Sequence, residues 1–168
     1  MAATAAAAHG DPNLVFSDVV RIRDMERSDA PACVAVGRAL PAWFTDNGIR
    51  EMTVDLASHH GAVAEDDERV IGFVTWYTYL GVGNIGWTGV LADFHRQGIG
   101  RRLLARAEAA LRTYGAQEVR VQTLGDAVEY EPYARTRAFY RAMGFTDFKR
   151  EETGNPECAE QLTLSKPL

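Results

Sequence analysis

The sequence has few cysteines and no long apolar run. Cys33 and Cys158 are its only thiols, and they form neither a CxxC pair nor another metal-ligand spacing. So few thiols do not suggest a disulfide framework, and a reducing compartment fits best. No segment approaches the ~18 apolar residues of a membrane span, and Met1 to Ala8 lacks the basic start of a leader peptide. We therefore expect a cytoplasmic protein with no metal site and no membrane partner.

The sequence also lacks an excess of positive charge. Its 18 Lys and Arg residues are outnumbered by 23 Asp and Glu residues, and the net charge is -5. This balance argues against nucleic acid or an anionic membrane as the main partner, although a local basic patch could still bind a small anion. The chain is long enough to bury a real core. We expect a disordered tail over residues 1–16 and a single domain over residues 17–168.

Hydrophobic periodicity predicts the secondary structure of this domain. The predicted strands cover residues 19–23, 62–65, 70–80, 84–92, 119–122, 145–150 and 161–165. The predicted helices cover residues 30–40, 46–60, 99–114 and 132–143, with Thr45 or Asp46 as the cap of the second helix and Gly61 as its end. The order contains a single strand-helix-strand crossover, which suggests a mixed sheet. The predicted fold class is α/β (α+β), with a mixed, mainly antiparallel central sheet of about seven strands flanked by about four helices.

Two glycine-rich loops are candidates for anion binding, and the first covers residues 81–86. Its letters match GxGxxG, but the dinucleotide-binding mechanism needs a helix directly after the loop. Residues 87–91 are typical of a strand instead. A turn between two strands explains these glycines through their permissive φ angles, so this loop is not predicted to bind a dinucleotide.

The second loop runs from His95 to Gly100 and lies between a predicted strand and the most amphipathic predicted helix. Backbone N–H groups at such a helix start can converge on an anion. Arg96, Arg101 and Arg102 crowd the positive end of the helix dipole, which costs ~0.3 to 1 kcal/mol per charge unless an anion is bound. The alternative is a solvated arginine face, because long side chains can point away from the helix end. The Lys-Ser/Thr of a Walker A loop is missing, so the anion need not be a nucleoside triphosphate.

The segment VLADFHRQGIGRRLL, from Val90 to Leu104, resembles the cofactor loop of the GNAT superfamily of acyl-CoA-dependent N-acetyltransferases. The core of that motif is Gln/Arg-x-x-Gly-x-Gly/Ala. Gly98 and Gly100 take its two small-residue positions, and His95 stands where the family has Gln or Arg. The predicted strand order over residues 19–166 is also the order that the resemblance implies.

A second block, RAFYRAMGF from Arg137 to Phe145, is similar to the later helix of the same superfamily. That helix typically ends in a Tyr followed four residues on by Gly-Phe. Tyr140 takes the Tyr position. Tyr133, seven residues earlier, stands where the family often has an Asn that contacts the cofactor. The two blocks together, in this order and separation, identify the chain as a member of the superfamily.

The resemblance implies acetyl-CoA (coenzyme A) as co-substrate and an amine that attacks the thioester carbonyl directly. A backbone N–H group near the end of the preceding strand would stabilise the developing oxyanion, and Tyr140 would protonate the leaving thiolate. The alternative for Tyr140 is a core aromatic with a satisfied hydroxyl. The implied cofactor-binding residues are Val90, Leu91, Ala92, His95, Arg96, Gln97, Gly98, Ile99, Gly100, Arg101, Tyr133 and Tyr140.

The attacking amine arrives mostly protonated, because its solution pKa is about 10.4, so some group or water chain must accept a proton. Glu129 is the candidate catalytic residue for this step. Glu131 is a candidate substrate-binding charge, and its alternative is a negative charge at a helix start. His59 and His60, adjacent on a predicted helix, do not suggest a shared metal site. The candidate apolar walls of the acceptor site, each alternatively a core residue, are Trp43, Phe44, Trp76 and Trp87.

The predicted function is therefore transfer of an acetyl group from acetyl-CoA to a primary amine of a small molecule or peptide. Two alternatives stay open. One is a non-catalytic acyl-CoA-binding sensor or interaction module, and the other is an acylator of proteins or of charged tRNA. The acidic composition ranks a tRNA acceptor low. The sequence specifies neither the acyl length nor the acceptor, and it leaves a homodimer open.

Overall fold

The computed structural model describes residues 20–127 and 129–168, and the predicted disordered tail over residues 1–16 lies outside them. The described residues form one seven-stranded sheet and four α-helices, which confirms the predicted fold class. The strands are β1 (Arg21–Asp24), β2 (His60–Asp66), β3 (Arg69–Tyr79), β4 (Val82–Val90), β5 (Glu118–Leu124), β6 (Thr146–Asn155) and β7 (Cys158–Pro167). The helices are α1 (Ala30–Arg38), α2 (Asp46–Asp55), α3 (Ile99–Thr113) and α4 (Glu131–Ala142).

The sheet opens between β4 and β5. The strand order is β1-β2-β3-β4-β5-β7-β6, and the β4–β5 pair is parallel whereas the other pairs are antiparallel. The parallel pairing covers only Gly83 to Ile85 on β4 and Val119 to Val121 on β5. Beyond those residues β4 continues with β3 alone and β5 continues with β7 alone. We call the resulting opening, bounded by residues 86–90 and 122–124, the central cleft.

Helices cover both faces of the sheet. Phe73 packs in a core with α1 and α2, whereas its neighbour Val74 packs in a core with α3, because successive side chains of a strand point to opposite faces. Helical spacing predicts an apolar stripe on α3 from Ile99 to Tyr114; the stripe is buried in the second core up to Leu111, whereas Tyr114 is exposed at the end of the helix. Its buried apolar members are Ile99, Leu103, Leu104, Ala107 and Leu111.

Helix α2 is shorter than the sequence predicts. It ends at Asp55, so His59 lies after the helix and His60 is the first residue of β2. Gly61 lies inside β2 rather than at a helix end. A Cβ at Gly61 would lie 2.9 Å from the carbonyl oxygen of Val74, so close packing against β3 and Met25 explains this glycine. The prediction that the two histidines share a helix was therefore wrong.

The last two strands are longer than predicted. The sequence indicates strands at 145–150 and 161–165, whereas β6 and β7 form a hairpin that extends to Asn155 and starts again at Cys158. Every residue of β6, one of the two edge strands of the sheet, is exposed. A strand with no buried face shows no apolar alternation, and its length is therefore invisible to periodicity.

Candidate cofactor and active site

The loop from His95 to Gly100 joins a short 3₁₀ turn (Ala92–Phe94) to α3. Gly98 is the N-cap residue of α3, and its φ of 78° lies in the left-handed region that favours glycine. A Cβ at Gly98 would meet no protein atom within 4 Å, so backbone conformation rather than crowding requires this glycine. A left-handed residue followed by right-handed helix is a backbone pattern that forms anion-binding concavities.

Helix α3 differs from the other described helices in how its first N–H groups are satisfied. Thr45 caps α2 through its side chain, and α1 and α4 carry Pro31 and Pro132 in their first turns, which removes an N–H group. Helix α3 has no side-chain cap, no proline and no acidic residue in its first turn. Instead, the exposed side chains of Arg96 and Arg101 lie at this end. A bound anion would satisfy both the N–H groups and the arginines.

Two side chains of the loop bond to the protein's own backbone. His95 Nε2 donates to the carbonyl oxygen of Val90 at 2.6 Å, and Gln97 Nε2 donates to that of Asp93 at 3.1 Å. The resemblance implies cofactor contacts at both His95 and Gln97. With these two side chains bonded to the backbone, the main-chain N–H groups and the arginines are the groups of the loop that remain available to an anion.

The free edge of β4 presents backbone groups of alternate residues to the central cleft. Leu91 N donates to Ile71 O at 2.8 Å, so the N–H group of Leu91 is directed at β3. Successive residues of a strand direct their backbone groups to alternate sides, so the N–H and C=O groups of Val90 face the cleft. The contact of His95 with Val90 O agrees with this direction. Among the predicted oxyanion donors, the geometry therefore favours Val90 and removes Leu91.

Tyr140 reaches from α4 to the same part of β4. Its ring is 5% exposed and makes edge contacts with Phe139 and Phe145 at centroid distances of 5.2 and 5.4 Å. Its hydroxyl donates to Thr88 Oγ1, 3.4 Å away, and Thr88 lies beyond the last β4 residue that pairs with β5. Burial raises the pKa of Tyr140, and the hydrogen bond to Thr88 opposes this only in part. The hydroxyl therefore stays protonated near neutral pH and is available as a proton donor.

The connection between α1 and α2 (residues 39–45) is tied to the start of α4. Trp43 Nε1 donates to Pro132 O at 3.1 Å and to Thr136 Oγ1 at 3.2 Å. In return the Tyr133 hydroxyl donates to Trp43 O at 2.8 Å. The Trp43 ring also makes an edge contact with His95, with centroids 6.0 Å apart. Tyr133 thus uses its hydroxyl within the protein, whereas the resemblance implies a cofactor contact there.

The predicted aromatic walls fall into two groups. Phe44 stacks on Trp87 at 6.0 Å in the core of α1 and α2, with Trp43 packed against that core. The indole of Trp87 donates to Asp55 Oδ2 at 2.8 Å. Trp76 is 3% exposed and packs in the α3 core on the other face of the sheet. The structure therefore brings Trp43, Phe44 and Trp87 together and separates Trp76 from them.

The two predicted glutamates lie on the surface. Glu131 forms an ion pair with Arg135, one turn along α4, and Glu129 is exposed just before that helix. A third carboxylate, that of Glu157, lies near the α1–α2 connection, and no sequence motif indicated it. Thr45 Oγ1 donates to Glu157 Oε2 at 3.1 Å, which brings the tip of the β6–β7 hairpin next to that connection.

His59 is a second residue that sequence reasoning missed. Its Nδ1 lies 3.4 Å from Thr75 Oγ1, which accepts a hydrogen bond from Trp87 N at 2.8 Å. Its ring stacks on Tyr77 with centroids 4.6 Å apart. Burial lowers the pKa of His59, and nearby Asp55 opposes this shift. Only the pairing of β2, β3 and β4 brings these residues together, so no local motif could have indicated them.

Neither a membrane-spanning helix nor a cluster of metal ligands is found among the described residues. No helix within residues 20–127 and 129–168 is long and apolar enough to cross a membrane. The same residues contain no group of three or more His, Cys, Asp or Glu side chains that could hold a metal ion.

Solved structures of other proteins share this fold. A GNAT-family protein from Desulfovibrio desulfuricans superposes with a TM-score of 0.78 at 20% identity, covering 89% of this chain and 99% of the other. An IAA acetyltransferase from Bacillus cereus gives 0.71 at 20% identity, covering 89% and 100%. The PaiA N-acetyltransferase from Thermoplasma acidophilum, in complex with coenzyme A, gives 0.67 at 17% identity, covering 89% and 99%. No curated protein sequence matched the chain.

A family model is more specific than these structural likenesses. The model of the acetyltransferase (GNAT) domain matches residues 57–147, which is more than half of the chain. The matched segment runs from the end of α2 to the start of β6, so it includes the loop at α3, the free edge of β4 and Tyr140. The chain therefore belongs to the acetyltransferase (GNAT) domain family.

Proposed function

We propose that this chain transfers an acetyl group from acetyl-CoA to a primary amine of a small molecule or peptide, by direct attack of the amine on the thioester. One observation carries the proposal: the uncapped, arginine-flanked start of α3 lies in the same family-matched segment as a free strand edge and a buried tyrosine. The first can hold an anion, the second can stabilise negative charge, and the third can deliver a proton.

The donor set at α3 fits the pyrophosphate of coenzyme A. Among the described residues, the backbone N–H groups from Gly98 to Arg101 have no side-chain acceptor, and Gly98 leaves open space where a side chain would project. The side chains of Arg96 and Arg101 add positive charge next to those N–H groups. Since His95 and Gln97 bond to the backbone, we assign the cradle mainly to main-chain donors.

Acetyl-CoA, when bound, supplies an activated acetyl group on sulfur. The N–H group of Val90 faces the cleft and is the proposed donor to the carbonyl oxygen, where negative charge develops as the amine nitrogen bonds to carbon. The carbon-sulfur bond then breaks, and the thiolate takes a proton from the Tyr140 hydroxyl. The proton that the amine nitrogen gives up passes to its acceptor and returns through water to the Tyr140 oxygen, so the hydroxyl is restored and the products are a neutral amide and a neutral thiol.

The group that takes the amine proton has two candidates. Glu129 lies in solvent just before α4, where it would act through water. His59 is half-buried beside Thr75 of β3, and its lowered pKa keeps it neutral and able to accept a proton at neutral pH.

The acceptor is proposed to enter beside the α1–α2 connection. Trp43 and Phe44 lie there with Trp87, and the Glu157 carboxylate is held next to them by Thr45. Aromatic faces and a carboxylate together attract an alkylammonium group. The proposal covers one domain over residues 17–168, supported by the single sheet, and places it in the cytoplasm, supported by the unpaired thiols of Cys33 and Cys158.

A screen of amines, peptides and charged tRNA with acetyl-CoA tests the proposal, with release of free thiol and product mass as readouts. Thiol release with an acetylated small amine or peptide is the expected result. Tight coenzyme A binding without thiol release from any acceptor would instead support a sensor. Thiol release that occurs only with a protein or charged tRNA would instead indicate that the chain acylates macromolecules.

A further inference from the structure

His95 lies where three parts of the molecule meet. It is the first residue of the loop before α3, its Nε2 is 2.6 Å from Val90 O at the end of β4, and its ring meets the edge of Trp43 at 6.0 Å. We propose that His95 is a positioning residue that holds the free edge of β4 and braces Trp43, and that its side chain does not bind the cofactor's pyrophosphate. This inference rests on the proposed function, and it assigns His95 a role other than the contact that the family motif implies.

The first step concerns the carbonyl of Val90. A carbonyl oxygen only accepts hydrogen bonds, so His95 Nε2 must carry the hydrogen. In a continuous sheet this carbonyl would receive an N–H group from the next strand, but β5 stops pairing with β4 at Ile85 and Val121. The imidazole therefore takes the place of the missing strand.

The second step concerns the N–H group on the same edge. The N–H and C=O groups of Val90 point to the same side of β4, so a bond that fixes the carbonyl also fixes the direction of the N–H group. That N–H group is the proposed donor to the developing negative charge. A donor aimed at the wrong place stabilises the transition state less, whereas substrate binding at α3 is hardly affected.

The third step concerns Trp43. Its indole N–H bonds to α4, and its carbonyl accepts from Tyr133, so Trp43 is fixed on that side. The ring of His95 supports its other side at an interplanar angle of 81°. One residue of the cofactor loop thus touches both the strand that stabilises charge and the proposed acceptor wall, through different atoms.

Because the two contacts use different atoms, two substitutions separate them. His95→Phe keeps a ring against Trp43 and removes the N–H donor, whereas His95→Gln keeps a donor and removes the ring. His60→Phe is the matched control, since His60 is exposed and its ring contacts only Tyr114 among the aromatic residues described. Coenzyme A affinity is measured by calorimetry, and kcat and both KM values are measured by thiol release.

We expect His95→Phe to lower kcat about 10-fold, as one poorly aimed charge-stabilising donor would, with the Kd for coenzyme A changed less than about 3-fold. His95→Gln should recover most of kcat and raise the KM of the acceptor. A rise in the Kd for coenzyme A with kcat preserved would overturn the inference, because that pattern belongs to a direct phosphate contact. Unchanged parameters in both variants would overturn it as well.

A second measurement uses the unaltered protein and needs no turnover. Imidazole ¹⁵N NMR of the full chain, with and without coenzyme A, should show His95 protonated at Nε2 in both states. A neutral ring that carries its hydrogen on Nδ1 would overturn the inference even if the variants fail to fold. If the wild-type protein releases no thiol from any acceptor, the proposed function fails, while this measurement still decides the role of His95.

Discussion

Helices α2 and α3 begin in opposite ways. At α2, Thr45 Oγ1 accepts from Gly48 N at 3.1 Å, and Asp46 places negative charge in the first turn. At α3, the cap is Gly98 in a left-handed conformation, the first turn has no acidic residue, and Arg101 is its third residue. The start of α2 is satisfied from within the protein, whereas the start of α3 has no side-chain cap and is the proposed site of an external anion.

The difference indicates a binding site, because α3 lacks stabilising groups that α2 has at its start. A helix start that serves only the fold is stabilised by a capping hydroxyl, by about 0.5 to 2 kcal/mol, and by a carboxylate, by about 0.3 to 1 kcal/mol. Helix α3 lacks both, and its first turn also lacks the proline that α1 and α4 carry, so we propose that its N–H groups bind a ligand. Variants that change the charge, the glycine or the cap at one helix start, and variants outside both starts, test this interpretation.

The largest expected effect is that of a substitution at Tyr140, outside both helix starts, which should change kcat but not the Kd for coenzyme A. Tyr140→Phe removes the proposed proton donor and keeps the ring, so kcat should fall about 10²-fold to 10⁴-fold with the Kd for coenzyme A little changed. Stopped-flow thiol release under single-turnover conditions measures this. Tyr114→Phe, at the other end of α3, is the control. Undiminished turnover in a folded Tyr140→Phe protein would return Tyr140 to a packing role.

The next variants place the same residue at the third position of each helix. Arg101→Glu should weaken coenzyme A binding about 10-fold to 100-fold, because a positive charge near the pyrophosphate becomes negative. The Tm should not fall, since a carboxylate suits a helix start. Gly48→Glu is the matched variant at α2 and should leave the Kd for coenzyme A unchanged. Equal effects of the two variants on this Kd would refute the assignment of the anion site to α3.

A third pair compares the two ends of α3. Gly98 and Gly115 have φ angles of 78° and 81°, and a Cβ at either would meet no protein atom within 4 Å. Substitution by Ala should therefore lower the free energy of unfolding by about 1 kcal/mol in each case. Only Gly98→Ala should weaken coenzyme A binding, by roughly 10-fold, because its methyl group would enter the space of the pyrophosphate. Chemical denaturation and calorimetry distinguish the two effects.

Removal of the α2 cap should give a purely structural effect. Thr45→Ala leaves the Gly48 N–H group without its acceptor and should lower the free energy of unfolding by about 1 kcal/mol. The Kd for coenzyme A should stay unchanged, although the KM of the acceptor should rise because Glu157 loses its hydrogen bond. Loss of coenzyme A affinity in this variant would show that the two helix starts are not independent.

The smallest effect concerns pH and the start of α1. Hydrogen bonds from Arg23 lower the pKa of Asp29, with burial opposing and the backbone of Glu26 assisting. A lowered carboxylate pKa gives stability that is present above the unfolded value of about 3.9 and is lost as pH falls through the folded value. Unfolding free energies measured from about pH 5 to pH 2 should fall less steeply in Asp29→Asn than in the parent. Gly98→Ala should keep the parent slope, since it changes no charge.

The sequence predicted those features that depend on residues close together in the chain. The apolar stripe of α3, the Thr45 cap and the fold class were all confirmed. The end of α2 and the lengths of β6 and β7 were not predicted correctly. In both cases a tertiary contact was responsible, because Gly61 serves close strand packing and β6 is an edge strand with no buried face.

The sequence by itself determined the helices, most strands and the glycine-arginine loop, since each depends on local periodicity, capping or backbone freedom. Only the tertiary structure decided which groups face the cleft. Trp76 points away from the other aromatics and Val90 rather than Leu91 faces the cleft, because strand pairing sets both directions. Contacts such as those of His95 with Trp43 join residues distant in the chain, and only the folded sheet fixes their geometry.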